Sequence, residues 1–216
     1  FEYIRREKNL GFLGNCNLEY AETATDFVLF LNSDVRLPPT FLSRLAVHAD
    51  PVATGLVTVP SFEDLTSLGA YAPTWWELDN RLSELGPVQI EACTAVGYAL
   101  LVNRSKVSAP LFNPDFGHGY GEDSDLHYRV EELGLSSVFA LNMLVYHQGG
   151  ASYGESRESN SHRAQGRDLF MSKWGNTYHR EFTVFKKNVH EFLNAFARVE
   201  LPADGVFLVT PSVSSL

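Results

Sequence analysis

The sequence predicts an α/β protein, and three features support this fold class. A continuous apolar run, "FVLFL" (Phe27–Leu31), is typical of a strand buried on both faces of a parallel sheet. Helical patterns flank it, one over about residues 15–24 and one after Pro38 and Pro39. Further strands are expected at "GLVTV" (55–59) and "AVGYALLV" (95–102). Alternating helices and strands indicate a mostly parallel sheet with helices on its faces.

The second half of the chain continues this alternation. Tryptophans open a partly helical segment, "APTWWELDNRLSELG", and two short strands are expected at "SSVFAL" and "MLVYH". The polar stretch over residues 154–167 is interpreted as a loop. A C-terminal amphipathic helix is expected over 178–202, because aromatic and aliphatic residues share one of its faces. "VFLVT" then predicts the start of another strand.

Three carboxylates crowd into "GEDSD", where Glu122, Asp123 and Asp125 follow a glycine-rich run. Leu126, Val130 and other apolar residues recur at helical spacing over residues 124–133, so acids at this helix start could serve as ordinary caps. One cap is enough, however, and adjacent carboxylates repel unless a cation, a metal or a proton lies between them. Both a capping role and a functional role stay open on this evidence.

Composition excludes several classes of function. The 216 residues are 44% hydrophobic and 20% charged, which suits a globular domain with a sizeable core. The net charge of -9, without a basic cluster, argues against nucleic acid as a partner. Cys16 and Cys93 lack metal-type spacing, so no disulfide framework or zinc-finger site is expected, and a reducing compartment fits best. No apolar run is long enough for a transmembrane segment.

Polar residues end two of the expected strands. Asn32, Ser33 and Asp34 follow "FVLFL", and His147 ends "VYH" before two glycines. In open α/β sheets the ligand crevice lies beyond the carboxyl ends of the strands, which favours a functional role. A turn or helix cap explains the first group equally well, and a lone histidine is more often structural. A hard cation such as Mg²⁺ or Mn²⁺ could use Asp34 and His147 if substrate phosphates completed its shell.

The order of these pieces resembles the inverting, nucleotide-sugar-dependent glycosyltransferases of the GT-A fold. Within glycosyltransferase family 2 the resemblance is to rhamnosyl- and galactofuranosyltransferases. It is carried by "NLGFLGNCN", "FLNSD", "GEDSDLHYR", "YHQGG" and "FMSKWG", in that order. Together these segments span about residues 9–175, and their order and spacing are more specific than any one of them. The resemblance implies a GT-A, Rossmann-like sheet with flanking helices.

The resemblance also implies roles for the acids. Asp34 matches the metal ligand and His147 the metal-binding histidine, while Asn32 stands where many relatives have a first Asp. Asp123 matches the catalytic base that takes the proton from the acceptor hydroxyl. Glu122 is expected to orient or bind the acceptor, as a second catalytic candidate. Asp125 is expected to be structural and paired with Arg129, although the roles of the acids could be exchanged.

Other residues are assigned to the two substrates. Nucleotide-sugar binding is expected from the motif ends, namely Asn9, Gly11, Phe12, Asn17, Asn32, Ser33 and Asp34. A strand-to-helix turn explains the first four equally well. Trp75 and Trp76 are acceptor-stacking candidates, with core or interface packing as the alternative.

The resemblance also implies domain boundaries. Residues 1–177 are expected to form the GT-A domain, 178–202 the C-terminal helix, and 203–216 a linker to a following element. The family's opening strand and helix precede its Asn-x-Gly-Phe segment, which here begins at Asn9. The chain is therefore expected to be an internal, N-terminally truncated piece of a longer polypeptide.

These observations predict a glycosyltransferase that uses Mn²⁺ or Mg²⁺. It would move a hexose or deoxyhexose from a nucleoside diphosphate sugar to a glycan or lipid-linked acceptor, as in polysaccharide or cell-wall synthesis. A cytoplasmic location is expected, with contact at the cytoplasmic membrane face left open through other parts of a longer protein. The alternatives are a non-catalytic GT-A fragment that acts as a binding module and a metal-dependent phosphodiester hydrolase.

Overall fold

The computed structural model describes residues 4–117, 119–149 and 157–197, with side chains described from residue 160 onward in the last range. The strands are β1 (Phe27–Leu31), β2 (Val35–Arg36), β3 (Thr54–Thr58), β4 (Gln89–Glu91), β5 (Ala99–Asn103), β6 (Ser136–Ala140) and β7 (Tyr146–His147). The α-helices are α1 (Gly11–Glu22), α2 (Phe41–Ala46), α3 (Phe62–Ser67), α4 (Trp75–Ser83), α5 (Glu122–Glu132) and α6 (Arg157–Ala197). The expected "VFLVT" strand and the proposed linker lie outside the described residues.

Five strands form the central sheet in the order β1-β5-β3-β6-β4. β3 and β6 pair in parallel, whereas β5 pairs antiparallel with β1 and β3, and β4 pairs antiparallel with β6. Strands β1, β3 and β6 therefore run in one direction, and β4 and β5 run in the other. With helices on its faces and a long helix at the end, this sheet confirms the α/β fold class of the GT-A type.

The first predicted strand is correct in its bounds but wrong in its burial. β1 lies at one edge of the described sheet and pairs only with β5 there, and its residues are half-buried or exposed. An apolar run of this length cannot by itself distinguish an edge strand from a central one. The fully buried central strands are β3 and β5.

Three hydrophobic clusters hold helices to the sheet. On one face, α1, α5 and the first half of α6 pack around residues such as Leu13, Phe112, Leu126 and Phe170. Phe41 and Leu45 of α2 belong to the cluster that contains Val57 and Leu101. The third cluster joins α3, α4 and the second half of α6 beside β4 and β6. The sheet is therefore enclosed by helices, and its ends are left to loops.

The last helix starts earlier than the sequence indicates. α6 begins at Arg157, so the interpretation of residues 157–167 as loop is wrong, and the predicted boundary at 177/178 falls inside this helix. The early turns are polar but keep a narrow buried side, where Gly166 and Phe170 face the segment before α5. The expected apolar face is present, with Phe185, Val189 and Phe196 buried. In the described parts of the chain, no helix is long and apolar enough to cross a membrane.

A short ribbon beside the main sheet determines where the strand-end residues meet. β2 and β7 pair antiparallel, with Val35 opposite His147 and Arg36 opposite Tyr146. The backbone N–H of Gln148 donates to the carbonyl oxygen of Asp34 at 3.1 Å. This pairing brings the end of "FLNSD" against the end of "VYH", although the two segments are more than a hundred residues apart in sequence.

Candidate active site

The acidic helix α5 starts from an unusual backbone. Gly119, Tyr120 and Gly121 all have positive φ, at 104°, 71° and 108°. Glycine adopts this region readily, whereas the Tyr120 conformation is uncommon for a residue with a Cβ. Helix α6 crosses this segment closely, since a Cβ at Gly166 would lie 2.0 Å from the Tyr120 carbonyl oxygen. The segment that presents the acids is thus positioned by direct backbone contact with α6.

Asp123 accepts backbone hydrogen bonds but has no basic partner among the described side chains. Its Oδ2 accepts from the N–H of Gly97 at 3.0 Å, and its Oδ1 accepts from the N–H of Ser124 at 2.7 Å. Burial raises the pKa of Asp123, while these N–H groups act in the opposite direction. A carboxylate held in this way keeps its orientation and a high affinity for a proton.

Glu122, its neighbour, is more deeply buried and less well bonded. The residue is 7% exposed, and its Oε2 has no hydrogen-bond partner in the described part of the chain. Burial, with a further contribution from the charge of Asp123, raises the pKa of Glu122 to about 8. The two carboxyls therefore disfavour ionisation of each other. Backbone N–H groups favour the charged form of both acids, at Asp123 those of Gly97 and Ser124 and at Glu122 those of Tyr120 and Glu122 itself. With its pKa at about 8, Glu122 is expected to hold a proton at neutral pH.

Asp125 has the opposite environment, although it lies only two positions further along. Its Oδ2 accepts from Arg129 Nε at 2.9 Å, and its Oδ1 accepts from Trp174 Nε1 at 2.9 Å and from Lys173 Nζ. Burial alone would raise its pKa, but the hydrogen bonds from Lys173, Trp174 and Arg129 outweigh burial and lower the pKa of Asp125. The pairing with Arg129 expected from the i,i+4 spacing is confirmed, so Asp125 ties α5 to α6.

Asp34 and His147, the strand-end pair, lie in contact. The Oδ1 of Asp34 is 3.3 Å from Nε2 of His147, and both side chains are mostly buried yet not sealed. An oxygen and a nitrogen that converge in this way fit two adjacent ligand positions of one divalent cation.

Tyr98 supports the histidine from the side. Its ring stacks on His147 with centroids 4.4 Å apart. Its hydroxyl donates to Asp64 Oδ2 and accepts from the N–H of Ser61 at 2.7 Å. Because Tyr98 is buried and bonded at its far end, it limits the rotation of the His147 ring.

Two consecutive residues, Gly97 and Tyr98, connect Asp123 to the strand-end pair. Gly97 donates its N–H to Asp123, while Tyr98 stacks on His147 and accepts from the N–H of Asn32 at 3.0 Å. Neighbouring Cα atoms lie about 3.8 Å apart. Asp123 and the Asp34–His147 pair are thus anchored at adjoining positions of one short segment.

The other residues of "NSD" contribute mainly backbone contacts. The Asn32 carbonyl oxygen accepts from the N–H of Val35 at 3.2 Å, which closes the turn between β1 and β2. Ser33 is exposed at the tip of this turn. The structure therefore supports the turn role of Asn32 and leaves Asp34 as the side chain of this group that points toward His147.

The start of α1 borders the same region. The Oδ1 of Asn9 accepts from the N–H of Gly11 at 2.9 Å, and Gly11 has a φ of +69°. The ring of Phe12 comes within 3.8 Å of the position that a Cβ at Gly97 would take. Asn17, however, exchanges two hydrogen bonds with the backbone of Phe112, at 2.7 and 2.8 Å. Its amide is already used to hold that loop, so it acts as a positioning residue in this structure.

The two tryptophans are separated from the strand-end pair by the ribbon. Trp75 packs on Tyr146 with ring centroids 6.1 Å apart, and Trp76 packs edge-on against Trp75. Since neighbouring side chains of a strand point to opposite faces, Trp75 and His147 lie on opposite sides of β7. Trp75 is therefore explained by packing. Trp76 remains 42% exposed and available to a partner.

Comparison with known families supplies the identification. The family model "Glycosyl transferase family 2" matches residues 1–108, which is half of the chain. This chain belongs to glycosyl transferase family 2. The match includes Asn9, Asp34 and Gly97, whereas Asp123 and His147 lie beyond it. No curated protein matches the chain.

Membership in glycosyl transferase family 2 makes the chain a glycosyltransferase of the GT-A fold, with a nucleotide-sugar donor and an acceptor as its substrates. Enzymes of this family commonly use divalent metal ions. The match does not distinguish the rhamnosyl- or galactofuranosyltransferase subfamily from the rest of the family.

Three partner residues could not be identified from the sequence. Tyr98 was included in an apolar strand, and only its structural neighbour His147 reveals its role. Lys173 and Trp174 belong to the quoted "FMSKWG" segment, yet nothing local to them indicates that they bind Asp125, which lies 48 and 49 positions earlier. A basic residue next to an aromatic one in a conspicuous motif is a signal that could have suggested a buried acid as partner.

Proposed function

We propose that this glycosyltransferase is a metal-dependent inverting enzyme in which Asp123 is the catalytic base. The observation that carries the proposal is that Asp123 has no cationic partner among the described side chains, combined with its fixed orientation by the N–H groups of Gly97 and Ser124. A general base is most effective when its pKa lies near the working pH. Burial raises the pKa of Asp123 in that direction.

The two acids divide the work. Asp123, ionised, takes the proton from the acceptor hydroxyl as that oxygen attacks the anomeric carbon of the donor sugar. Glu122, protonated at neutral pH, donates a hydrogen bond and keeps a second negative charge away from the attacking oxygen. Because attack comes from the face opposite the leaving diphosphate, one base is sufficient and the configuration at the anomeric carbon inverts.

Asp34 and His147 fit a resident Mn²⁺ or Mg²⁺. Their ligand atoms converge at 3.3 Å, and stacking on Tyr98 fixes the imidazole. Such a cation, when bound, neutralises charge on the departing diphosphate. The chain itself carries a net charge of -9, so few of its own groups could do so. Asn9, Gly11, Phe12 and Ser33 are proposed to face the nucleotide sugar, and of these the ring of Phe12 lies near Gly97.

The finer assignments are part of the same proposal. The donor is a hexose or deoxyhexose nucleoside diphosphate, and the acceptor is a hydroxyl of a glycan or of a lipid-linked sugar. Trp76, exposed on the side of the ribbon away from His147, is proposed to stack on a part of the acceptor remote from its reacting hydroxyl. A non-catalytic module would not need a base freed of cations next to a metal-type pair, and this arrangement favours the enzyme.

A donor panel tests the proposal. Nucleoside diphosphate release is measured with candidate donor sugars and glycan acceptors, with Mn²⁺, with Mg²⁺ and with chelator, in wild type and in Asp34→Ala. The expected result is release that depends on one donor and on metal, lost with chelator and in Asp34→Ala. Donor turnover that neither chelator nor Asp34→Ala reduces below that of the wild type with metal would overturn the metal assignment. Tight donor binding without turnover under any condition would favour the binding-module alternative.

A further inference from the structure

A second group of metal-type side chains lies on the opposite, C-terminal half of α5. His127 and Glu131 of α5 and Glu181 of α6 each offer a ligand atom, and these atoms all lie within 4.8 Å of one another. The Nε2 of His127 is 3.5 Å from Oε1 of Glu131. The three residues belong to two helices that pack together, and none of them takes part in the proposed reaction.

His127 is the unusual member of the group. Its side chain is completely buried, yet neither ring nitrogen has a hydrogen-bond partner in the described part of the chain. A buried polar group without a partner costs roughly 1–3 kcal/mol, so native proteins rarely keep one without a reason. The Nε2 points toward the carboxylate of Glu131 at a distance longer than a hydrogen bond. That gap leaves room for a shared third atom.

The carboxylates of the group lack a firm counter-charge. Burial, with the charges of Glu181 and Glu91, raises the pKa of Glu131 to about 7. Arg180 approaches Glu181 at 3.6 Å but is 74% exposed, so solvent screens it. One oxygen of Glu181 is buried without a hydrogen-bond partner in the same described region. Extra positive charge placed between the three residues would relieve this repulsion.

We propose that His127, Glu131 and Glu181 bind a divalent cation such as Zn²⁺. This cation would join α5 to α6 at a site distinct from the proposed catalytic residues. An imidazole nitrogen with two carboxylate oxygens is a donor set that suits Zn²⁺. Two ligands at about 2.0–2.2 Å from a tetrahedral zinc lie about 3.3–3.5 Å apart, which agrees with the separation of His127 and Glu131.

Access and assembly also fit this site. Glu131 and Glu181 are about one-third exposed, so an ion can enter from solvent and their side chains can adjust to close the remaining distance. His127 and Glu131 are four residues apart on one helix, which places both on the same face. The bound ion would add a cross-link between α6 and the helix that carries Asp123.

Zinc titration of a variant that lacks the strand-end pair tests the inference independently of the proposed function. The tag-free 216-residue chain with Asp34→Ala and His147→Ala is titrated with Zn²⁺ by calorimetry, and its thermal unfolding is followed with and without Zn²⁺. Glu181→Gln is then added to this background, because a partly exposed helix residue can be changed without emptying the core. Glu132→Gln, an exposed neighbour with the same change of charge, is the matched control.

The expected result is one Zn²⁺ per chain in the background protein, together with a zinc-dependent rise in Tm. Glu181→Gln should weaken Zn²⁺ binding by about tenfold or more and remove the rise in Tm, since even the loss of an indirect partner costs about 10- to 100-fold in metal affinity. Glu132→Gln should change neither. Absence of Zn²⁺ binding in the background, or equal weakening by the two glutamate changes, would overturn the proposal.

Discussion

Asp123 and Asp125 stand two positions apart on one helix, yet the fold treats them in opposite ways. Asp125 receives Arg129, Lys173 and the indole N–H of Trp174, so its charge is satisfied and its pKa lowered. Asp123 receives the backbone N–H groups of Gly97 and Ser124 and a longer hydrogen bond from the Ser124 hydroxyl, and burial raises its pKa. The comparison teaches that the neutralised acid holds α5 in place, whereas the acid without a cation among the described side chains is the one proposed as the base.

The largest expected effect concerns the structural member of the pair. Asp125→Asn leaves Lys173 and Arg129 without their buried counter-charge, and breaking such a pair costs about 3–5 kcal/mol. A loss at the lower end of this range is expected, because the side chains of Lys173 and Arg129 are about one-third exposed and solvent screens their charges. Urea unfolding measures the loss.

Asp115→Asn, at an exposed position, is the control and should leave the free energy of unfolding nearly unchanged. A loss in Asp125→Asn no greater than in this control would show that the ion pairs do not stabilise the helix contact.

Asp123→Asn should separate chemistry from stability. The amide keeps the shape and still accepts one of the two backbone hydrogen bonds through its oxygen, but it cannot take a proton, so turnover should fall about 10²-fold or more. Donor binding should survive. Steady-state kinetics and donor titration measure the two quantities, again beside Asp115→Asn. Near-normal turnover would exclude Asp123 as the base and make Glu122 the next candidate.

The close crossing of α6 over the segment before α5 can be broken at one glycine. Gly166→Ala would place a Cβ 2.0 Å from the Tyr120 carbonyl oxygen, so the backbone must move. We expect a loss of about 1–3 kcal/mol in stability, with reduced turnover because Glu122 and Asp123 follow that segment.

Gly175→Ala in the same helix is the matched control. Its Cβ would meet only the flexible side chain of Met171, at 3.4 Å. Alanine favours helix over glycine by up to about 1 kcal/mol, so this variant should be unchanged or slightly more stable. Equal effects of the two substitutions on stability and turnover would contradict the crossing argument.

The last prediction is a pH slope that belongs to Glu122. Its pKa is raised to about 8 in the folded protein, so the folded state holds a proton that the unfolded chain releases above about pH 4.5. The free energy of unfolding should therefore fall as pH rises through this window, by at most about 1.4 kcal/mol per pH unit. The raised pKa of Glu131, at about 7, adds a slope of the same sign, so Glu122→Gln should reduce the slope without removing it. An unchanged slope in urea unfolding at pH 5, 6, 7 and 8 would show that groups other than Glu122 cause the pH dependence.

Local patterns were enough to predict part of this arrangement. The periodicity of Leu126 and Val130 places α5 within two residues of its actual start, and i,i+4 spacing pairs Asp125 with Arg129. The α/β class followed from "FVLFL" and the strands after it. These features depend on neighbours in sequence, which is why the sequence alone was sufficient for them.

The remaining features depend on contacts that the sequence does not encode locally. Lys173 and Trp174 reach Asp125 only because α6 crosses α5, and the polar first turns of α6 were interpreted as loop. β1 looks like a central strand by composition but lies at the described edge. The differing environments of Glu122 and Asp123 depend on which of them meets the N–H of Gly97, and this is a property of the folded backbone.

The most direct test of the contrast between Asp123 and Asp125 is a carboxyl titration by NMR. Side-chain carboxyl ¹³C shifts are followed from acid to alkaline pH, with the two resonances assigned by their disappearance in Asp123→Asn and Asp125→Asn. Asp125 should titrate below the ordinary aspartate value of about 3.9, and Asp123 above it. The same apparent pKa for both, or the reverse order, would contradict the proposal that the fold neutralises Asp125 and keeps Asp123 as a base.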